Sequence, residues 1–231
     1  MKKLATLIIA LAAVVGAVAQ PKAGTFTLTP TLGLNLSTIT GDAYNRTYTI
    51  RVGKDLNETV KAKSQTHAGG SLGVEAGYQV SNRFALSAGV VFSLQGTERS
   101  KSGGGLLDDY RIKDDSELDL VYLNVPILAN FYVCKGLALK VGVQPALLLS
   151  AKDHTEVSAS GQAAEYAKDA KQDVKNTCNT FDFSIPVGVS YEFDNGIILE
   201  GRFNIGTSDV FKNVKGHNMA LQVSCGYKFK L

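Results

Sequence analysis

The chain contains no tryptophan, two methionines, three histidines and three cysteines in 231 residues. The cysteines, Cys134, Cys178 and Cys225, are odd in number and have no paired spacing, which argues against a disulfide framework. They also lie too far apart along the chain for the close ligand spacing of a structural metal site, so free thiols are expected, with no metal and no cofactor. Surplus charge is missing as well. There are 24 Lys+Arg against 21 Asp+Glu, and no basic stripe interleaved with stacking aromatics, which excludes nucleic acid as a partner. Beyond the N-terminal segment, no stretch approaches the roughly eighteen consecutive apolar residues that mark a transmembrane helix. Mean hydropathy is +0.02, the value expected of strands that are apolar on one face only.

One short apolar run is present at the start. Lys2 and Lys3 precede an apolar segment from Leu4 to Val15, and Ala17-Val18-Ala19 forms a small-residue cleavage site before Gln20. This is the pattern of an export signal over residues 1–19, too short to span a bilayer comfortably, leaving residues 20–231 as one mature domain. Its removal takes two from the 24 Lys+Arg, leaving 22 against 21 Asp+Glu, close to neutrality.

What the rest of the chain has in abundance is alternation. In "MALQVSCGYKFKL", residues 219–231, Met219, Leu221, Val223, Cys225, Tyr227, Phe229 and Leu231 share one face, and small or polar residues share the other. A run of this length exceeds an ordinary strand and matches the roughly nine to eleven residues of a tilted strand crossing a bilayer. The same pattern recurs near residues 25–37, 68–80, 84–95, 118–133, 137–151, 180–193 and 197–205, giving eight strands. Short connections ("SNR", "CKG", "DNG") alternate with long polar ones at residues 39–67, 97–117, 152–179 and 207–217. The expected fold is all-β: an eight-stranded antiparallel up-and-down transmembrane β-barrel in the outer membrane, with short periplasmic turns and long extracellular loops. The segment "GQAAEYAKDAKQDVK" in the third long loop contains good helix formers and allows a short helix.

A lipocalin-like soluble barrel would turn the same apolar face inward, so composition of the two faces has to decide. The polar face is built from Gly, Ser, Thr and Ala, small enough to fill an eight-strand interior, while the apolar face is bulky. Phe26, Tyr78, Phe84, Phe131, Tyr191, Phe193, Tyr227 and Phe229 fall at one level near the short turns, as an interfacial girdle would. Glu75, Lys140, Glu192, Glu200, Arg202 and Lys228 lie on the polar face in nearly balanced sign, suited to an ion network in the lumen. The apolar face is therefore expected to meet lipid. Pro30, Pro126, Pro145 and Pro186 fall inside these strands, where each deletes a ladder donor, so bulges or gaps are expected there.

The stretches "YLNVPILANFYVCKGLALKVGVQPALLLSA", "YEFDNGIILEGRFNIGTSDV" and "LGLNLSTITGD" together resemble the PorT-type outer-membrane β-barrel family over essentially the whole mature chain. The resemblance implies an eight-stranded barrel and makes the in-strand proline of "LNVP" a family feature. The family takes its name from a protein required for type IX secretion, and the resemblance implies little else about activity. Outer-membrane strands of this kind commonly end on Phe or Trp, whereas this one ends on Leu231 with Phe229 two places earlier.

Catalytic candidates are few. His67, His154 and His217 fall in or beside long loops, with Asp153 and Asp209 near in sequence, but exposed loop histidines are the plainer reading and no enzyme activity is expected. Asn45-Arg-Thr47 and Asn57-Glu-Thr59 match a glycosylation acceptor by chance. The leading expectation is a non-enzymatic barrel serving envelope structure or surface binding through its loops. Its partners are outer-membrane lipid and, through the C-terminal strand, the barrel-assembly machinery. A PorT-like secretion accessory is the alternative, followed by a small pore or a lipid-modifying enzyme.

Overall fold

The computed structural model describes residues 22–41, 47–52, 56–61, 64–104, 110–161 and 168–231. The expected export signal at residues 1–19 and Asn45 of the first acceptor match lie outside the described residues. The strands, in chain order, are β1 (Phe26–Thr40), β2 (Thr47–Val52), β3 (Leu56–Lys61), β4 (Ser64–Ser81), β5 (Phe84–Gly104), β6 (Tyr110–Asn124) and β7 (Ile127–Tyr132). They continue with β8 (Leu137–Gly161), β9 (Lys168–Asp173), β10 (Phe181–Glu192), β11 (Ile197–Asp209), β12 (His217–Tyr227) and β13 (Phe229–Lys230).

Neighbours pair antiparallel around a closed ring: β1, β4, β5, then β6 and β7 end to end in one position, β8, β10, β11 and β12, which returns to β1. The seam runs from Thr40↔His217 to Thr31↔Gly226, resumes at Leu28↔Phe229, and ends where the Leu231 N–H donates to the Phe26 carbonyl at 2.9 Å. Closure leaves the ring without the free edge that would template aggregation.

Burial is inverted relative to a soluble barrel. Along β1, Leu32 and Leu34 are 67% and 71% exposed while Asn35 and Ser37 are 2% and 0% exposed. The bulky face that the sequence offers is thus outside, and its cohesion with water would be poor unless lipid covers it. From Phe26 to Leu36 the outward residues rise about 33 Å along the strand, or about 25 Å along the normal at a tilt of about 40°, the height of an outer-membrane apolar band.

The long connections are shorter than the sequence implies. β5, β6 and β8 continue their ladders past the apolar band, with Thr97↔Leu118 through Gly104↔Arg111 and Leu120↔Ala151 through Tyr110↔Gly161. The first loop contains the β2–β3 hairpin. The helix that the third loop allows does not form in its described part: Lys168–Asp173 is strand β9, paired with Lys152 to Val157 of β8, and a 3-10 turn follows at Lys175–Thr177. An elongated β8 offers unpaired ladder groups, and satisfying them outweighs a weak helix propensity.

The prolines interrupt hydrogen bonding without shifting register, so of the two expected consequences gaps occur and bulges do not. The single expected strand at 118–133 divides at Val125-Pro126 into β6 and β7, yet Val91↔Asn124 and Ala88↔Ile127 belong to one register. Pairing of β8 with β10 skips from Ser184↔Gln144 to Val187↔Val141 beside Pro186, and the β1 seam skips beside Pro30. The observed bulges lie elsewhere, between Thr66 and Ser71, Gln79 and Ser81, Val121 and Tyr122, and Ile205 and Asp209.

Close strand approach explains one glycine. A Cβ on Gly142 would lie 1.9 Å from the Ile127 carbonyl oxygen, which backbone alone cannot vacate. Gly142→Ala is expected to cost about 1–3 kcal/mol through forced displacement of β7 against β8, read as a lower urea midpoint of the folded band in lipid.

Candidate functional site

The centre of the lumen is an ion quartet drawn from three strands. Glu75 projects from β4, Lys140 from β8, and Glu200 and Arg202 from β11, the last two separated by one residue so that both face inward. Lys140 Nζ donates to Glu200 Oε2 and lies 3.4 Å from Glu75 Oε2. Arg202 Nε donates to Glu200 Oε1 at 2.6 Å, and its Nη2 donates to Glu75 Oε1. All four are buried, and two positive charges face two negative ones, so the group closes its own charge away from bulk water.

Glu192 and Lys228, which the sequence groups with these four, form a second pair at the short-turn end. Lys228 Nζ donates to Glu192 Oε2 at 2.6 Å and to the Tyr132 hydroxyl at 3.3 Å, and Lys230 Nζ lies 3.7 Å from Glu192 Oε1. Thr29, Gln79, Ser87 and Asn130 help to line a small cavity between the two groups. On the outside at this end the eight girdle candidates stand as four ring pairs: Phe26–Tyr78, Phe84–Phe131, Tyr191–Phe193 and Tyr227–Phe229, with centroids 4.7–5.0 Å apart.

Toward the loop end the quartet gives way to amides and hydroxyls. Asn124 Nδ2 donates to Ser93 Oγ at 2.7 Å, and Gln222 Nε2 donates to Ser71 Oγ at 3.2 Å. Above this layer the interior becomes apolar: Ile39, Leu118, Leu120, Tyr122, Leu148 and Val210 pack into a buried cluster that includes Cys178. Sequence reasoning missed this cap. Its signal was parity, because Ile39 continues the inward series of Asn35 and Ser37, and Leu118, Leu120 and Tyr122 continue that of Asn124.

The cysteines remain free thiols, with Cys225 exposed on the outer face, Cys134 half-buried and Cys178 buried. Burial, the larger influence, pushes the Cys178 thiol above its ordinary value and leaves it poorly nucleophilic.

The histidines do not converge. His217 Nδ1 lies 3.0 Å from the Ser208 carbonyl and 3.9 Å from Asp209, whose carboxylate also accepts the Gly216 N–H at 2.9 Å and so caps a turn. Asp153 accepts from Ser116 Oγ at 3.1 Å, while His154 is the cross-strand partner of Glu117. His67 instead is buried among acids: its Nδ1 is 3.3 Å from Glu117 and 3.8 Å from Glu98, and its Nε2 is 3.5 Å from Asp119. No metal ligand set is expected from the sequence, yet His67 of β4 and Glu117 and Asp119 of β6 come together into one cluster.

A family model described as outer membrane protein beta-barrel domain matches residues 18–212. Comparison with curated proteins yields no match. Among solved structures, the attachment invasion locus protein Ail of Yersinia pestis, in complex with the heparin analogue sucrose octasulfate, is 13% identical, with 88% of this chain and 99% of that chain covered and a TM-score of 0.45. Neisserial surface protein A is 12% identical over 89% of this chain and 97% of its own, with a TM-score of 0.43. OprG of Pseudomonas aeruginosa is 14% identical over 92% and 99%, with a TM-score of 0.40.

Proposed function

This chain belongs to the outer membrane protein β-barrel domain family and is an integral outer-membrane barrel, and on that premise we propose that it works without catalysis, in envelope structure or in surface binding through its extracellular loops. The observation that carries this reading is a lumen crossed by side chains at four levels, with a small cavity between the first two: the Lys228–Glu192 pair, the ion quartet, the amide layer and the apolar cap. An eight-stranded interior is only wide enough for side chains, and here the quartet, the amide layer and the apolar cap close it above the small cavity, which supports a scaffold over a conduit.

In this reading lipid covers the outward leucines, and the four aromatic pairs sit at the periplasmic interface. The barrel-assembly machinery reads the strand that closes on β1, with Phe229 as its aromatic near the end. The ladders of β5, β6 and β8 carry the binding surface outward.

The test is a gene deletion scored for detergent sensitivity, surface adhesion and secreted protein, complemented by the full chain and by a chain with its extracellular loops shortened. Loss of detergent resistance or adhesion, with secretion intact, is expected; the shortened chain should restore resistance but not adhesion. In planar bilayers the purified chain is expected to give no single-channel currents, and regular conductance steps would displace the reading in favour of a pore.

A second reading, a PorT-like accessory of type IX secretion, rests on the resemblance of the "LNVP" and "DNG" segments. Selective loss of secreted proteins on deletion would favour it. The enzyme alternative requires lipid turnover that disappears in His67→Ala, His154→Ala or His217→Ala.

A further inference from the structure

His67 is 6% exposed, and its Nδ1 is buried without a hydrogen-bond partner among the described residues, although Glu117 Oε1 lies only 3.3 Å away. The proximity exists without the alignment a hydrogen bond needs. Glu117 and Asp119 alternate with Leu118 and Leu120, which face the lumen, so the two carboxylates stand side by side on the outer face of β6. His67 reaches them from β4, across the intervening β5. Gly96 on β5 makes this reach possible: a Cβ there would come within 3.4 Å of His67 Cδ2 and within 1.8 Å of the Leu118 carbonyl oxygen.

The ligand atoms of His67, Glu117 and Asp119 lie within 4.8 Å of one another, and Glu98, 3.8 Å from Nδ1, adds a third carboxylate. Gathering three carboxylates around one imidazole costs repulsion that a single proton on the ring offsets only in part, whereas a divalent cation supplies two charges and gives the unpaired nitrogen a bond. Lys152 and His154, the cross-strand partners of Asp119 and Glu117 on β8, flank the cluster. The site stands just above the apolar band, since Leu94↔Val121 is followed outward by Gly96↔Asp119 and Glu98↔Glu117. The three carboxylates are about half exposed, at 47–48%; Glu117 and Glu98 already stand by Nδ1, and Asp119, 3.5 Å from Nε2, has to turn toward Nδ1 to share its ion.

We propose that His67 Nδ1, Glu117 and Asp119, with Glu98 as a further oxygen ligand, form a divalent transition-metal site on the outer wall of the barrel. One nitrogen with carboxylate oxygens suits Zn²⁺ and its neighbours, whereas Mg²⁺ and Ca²⁺ are held by oxygen alone.

The test uses the untagged full chain, folded in detergent with its accessible thiols alkylated, titrated calorimetrically with ZnCl2 in the absence and presence of excess MgCl2. One Zn²⁺ per chain is expected, undisturbed by Mg²⁺, with affinity falling roughly tenfold or more in His67→Asn, Glu117→Gln and Asp119→Asn. The two carboxylate variants change exposed groups, and unchanged heat-modifiable gel mobility certifies their fold even if His67→Asn misfolds. Co²⁺ should give a visible absorption band in the wild type that is lost in Glu117→Gln. No Zn²⁺ binding by the wild type, equal affinity in the carboxylate variants, or displacement by Mg²⁺ would overturn the site.

Discussion

Arg202→Met is expected to destabilise the barrel by about 3–5 kcal/mol, because it leaves Glu75 and Glu200 buried with only Lys140 between them. The loss comes less from missing attraction than from stranding a carboxylate away from bulk water. The double variant Glu200→Gln with Arg202→Met removes one charge of each sign and retains Lys140 beside Glu75, so it is expected to recover most of the stability. A double-mutant cycle isolates that coupling. The chain has no tryptophan, so unfolding in urea from lipid vesicles is best followed by sheet circular dichroism and by loss of the fast-migrating folded band. A wild-type-like Arg202→Met would mean that water reaches the quartet freely.

Tyr122→Ala is expected to have an effect of similar size. Tyr122 is the largest member of the apolar cap and is 1% exposed, so truncation opens a cavity beneath Leu118, Leu120 and Leu148 that packed strands cannot collapse to fill. The expected cost is about 3–5 kcal/mol, measured by the same unfolding transition. The two sites lie in different layers of the lumen, so their effects should add. A cost well below 1 kcal/mol would show that the loop-end mouth is loosely packed and open.

The barrel was legible because the bilayer imposes two demands that leave a trace in sequence. Period-two alternation over long runs recorded the closed ladder, and the bulky side of Leu32, Leu34 and Leu36 recorded lipid rather than core. The ion quartet was legible in its members but not in its grouping: parity places Glu192 and Lys228 on the same face as Glu200, while only the register puts them at a different height. The cap escaped because it inverts the rule that served elsewhere, apolar side chains on the inward parity. The His67 cluster escaped because its parts are about fifty residues apart, and what unites them is the absence of a side chain at Gly96. The strand extensions escaped because polar residues on both faces look like loop until a neighbouring ladder is seen to require them.

Those extensions have a consequence for reach. From Leu94, at the upper limit of the apolar band, β5 runs on to Gly104 in unbroken pairing with β6. Ten further residues at about 3.3 Å each, tilted by about 40°, add about 25 Å, so the molecule stands out from the bilayer nearly as far as it passes through it. A partner too large to approach the lipid could still touch the ladder near Gly104 and Arg111, whose height above the membrane is set by the continuous pairing beneath it.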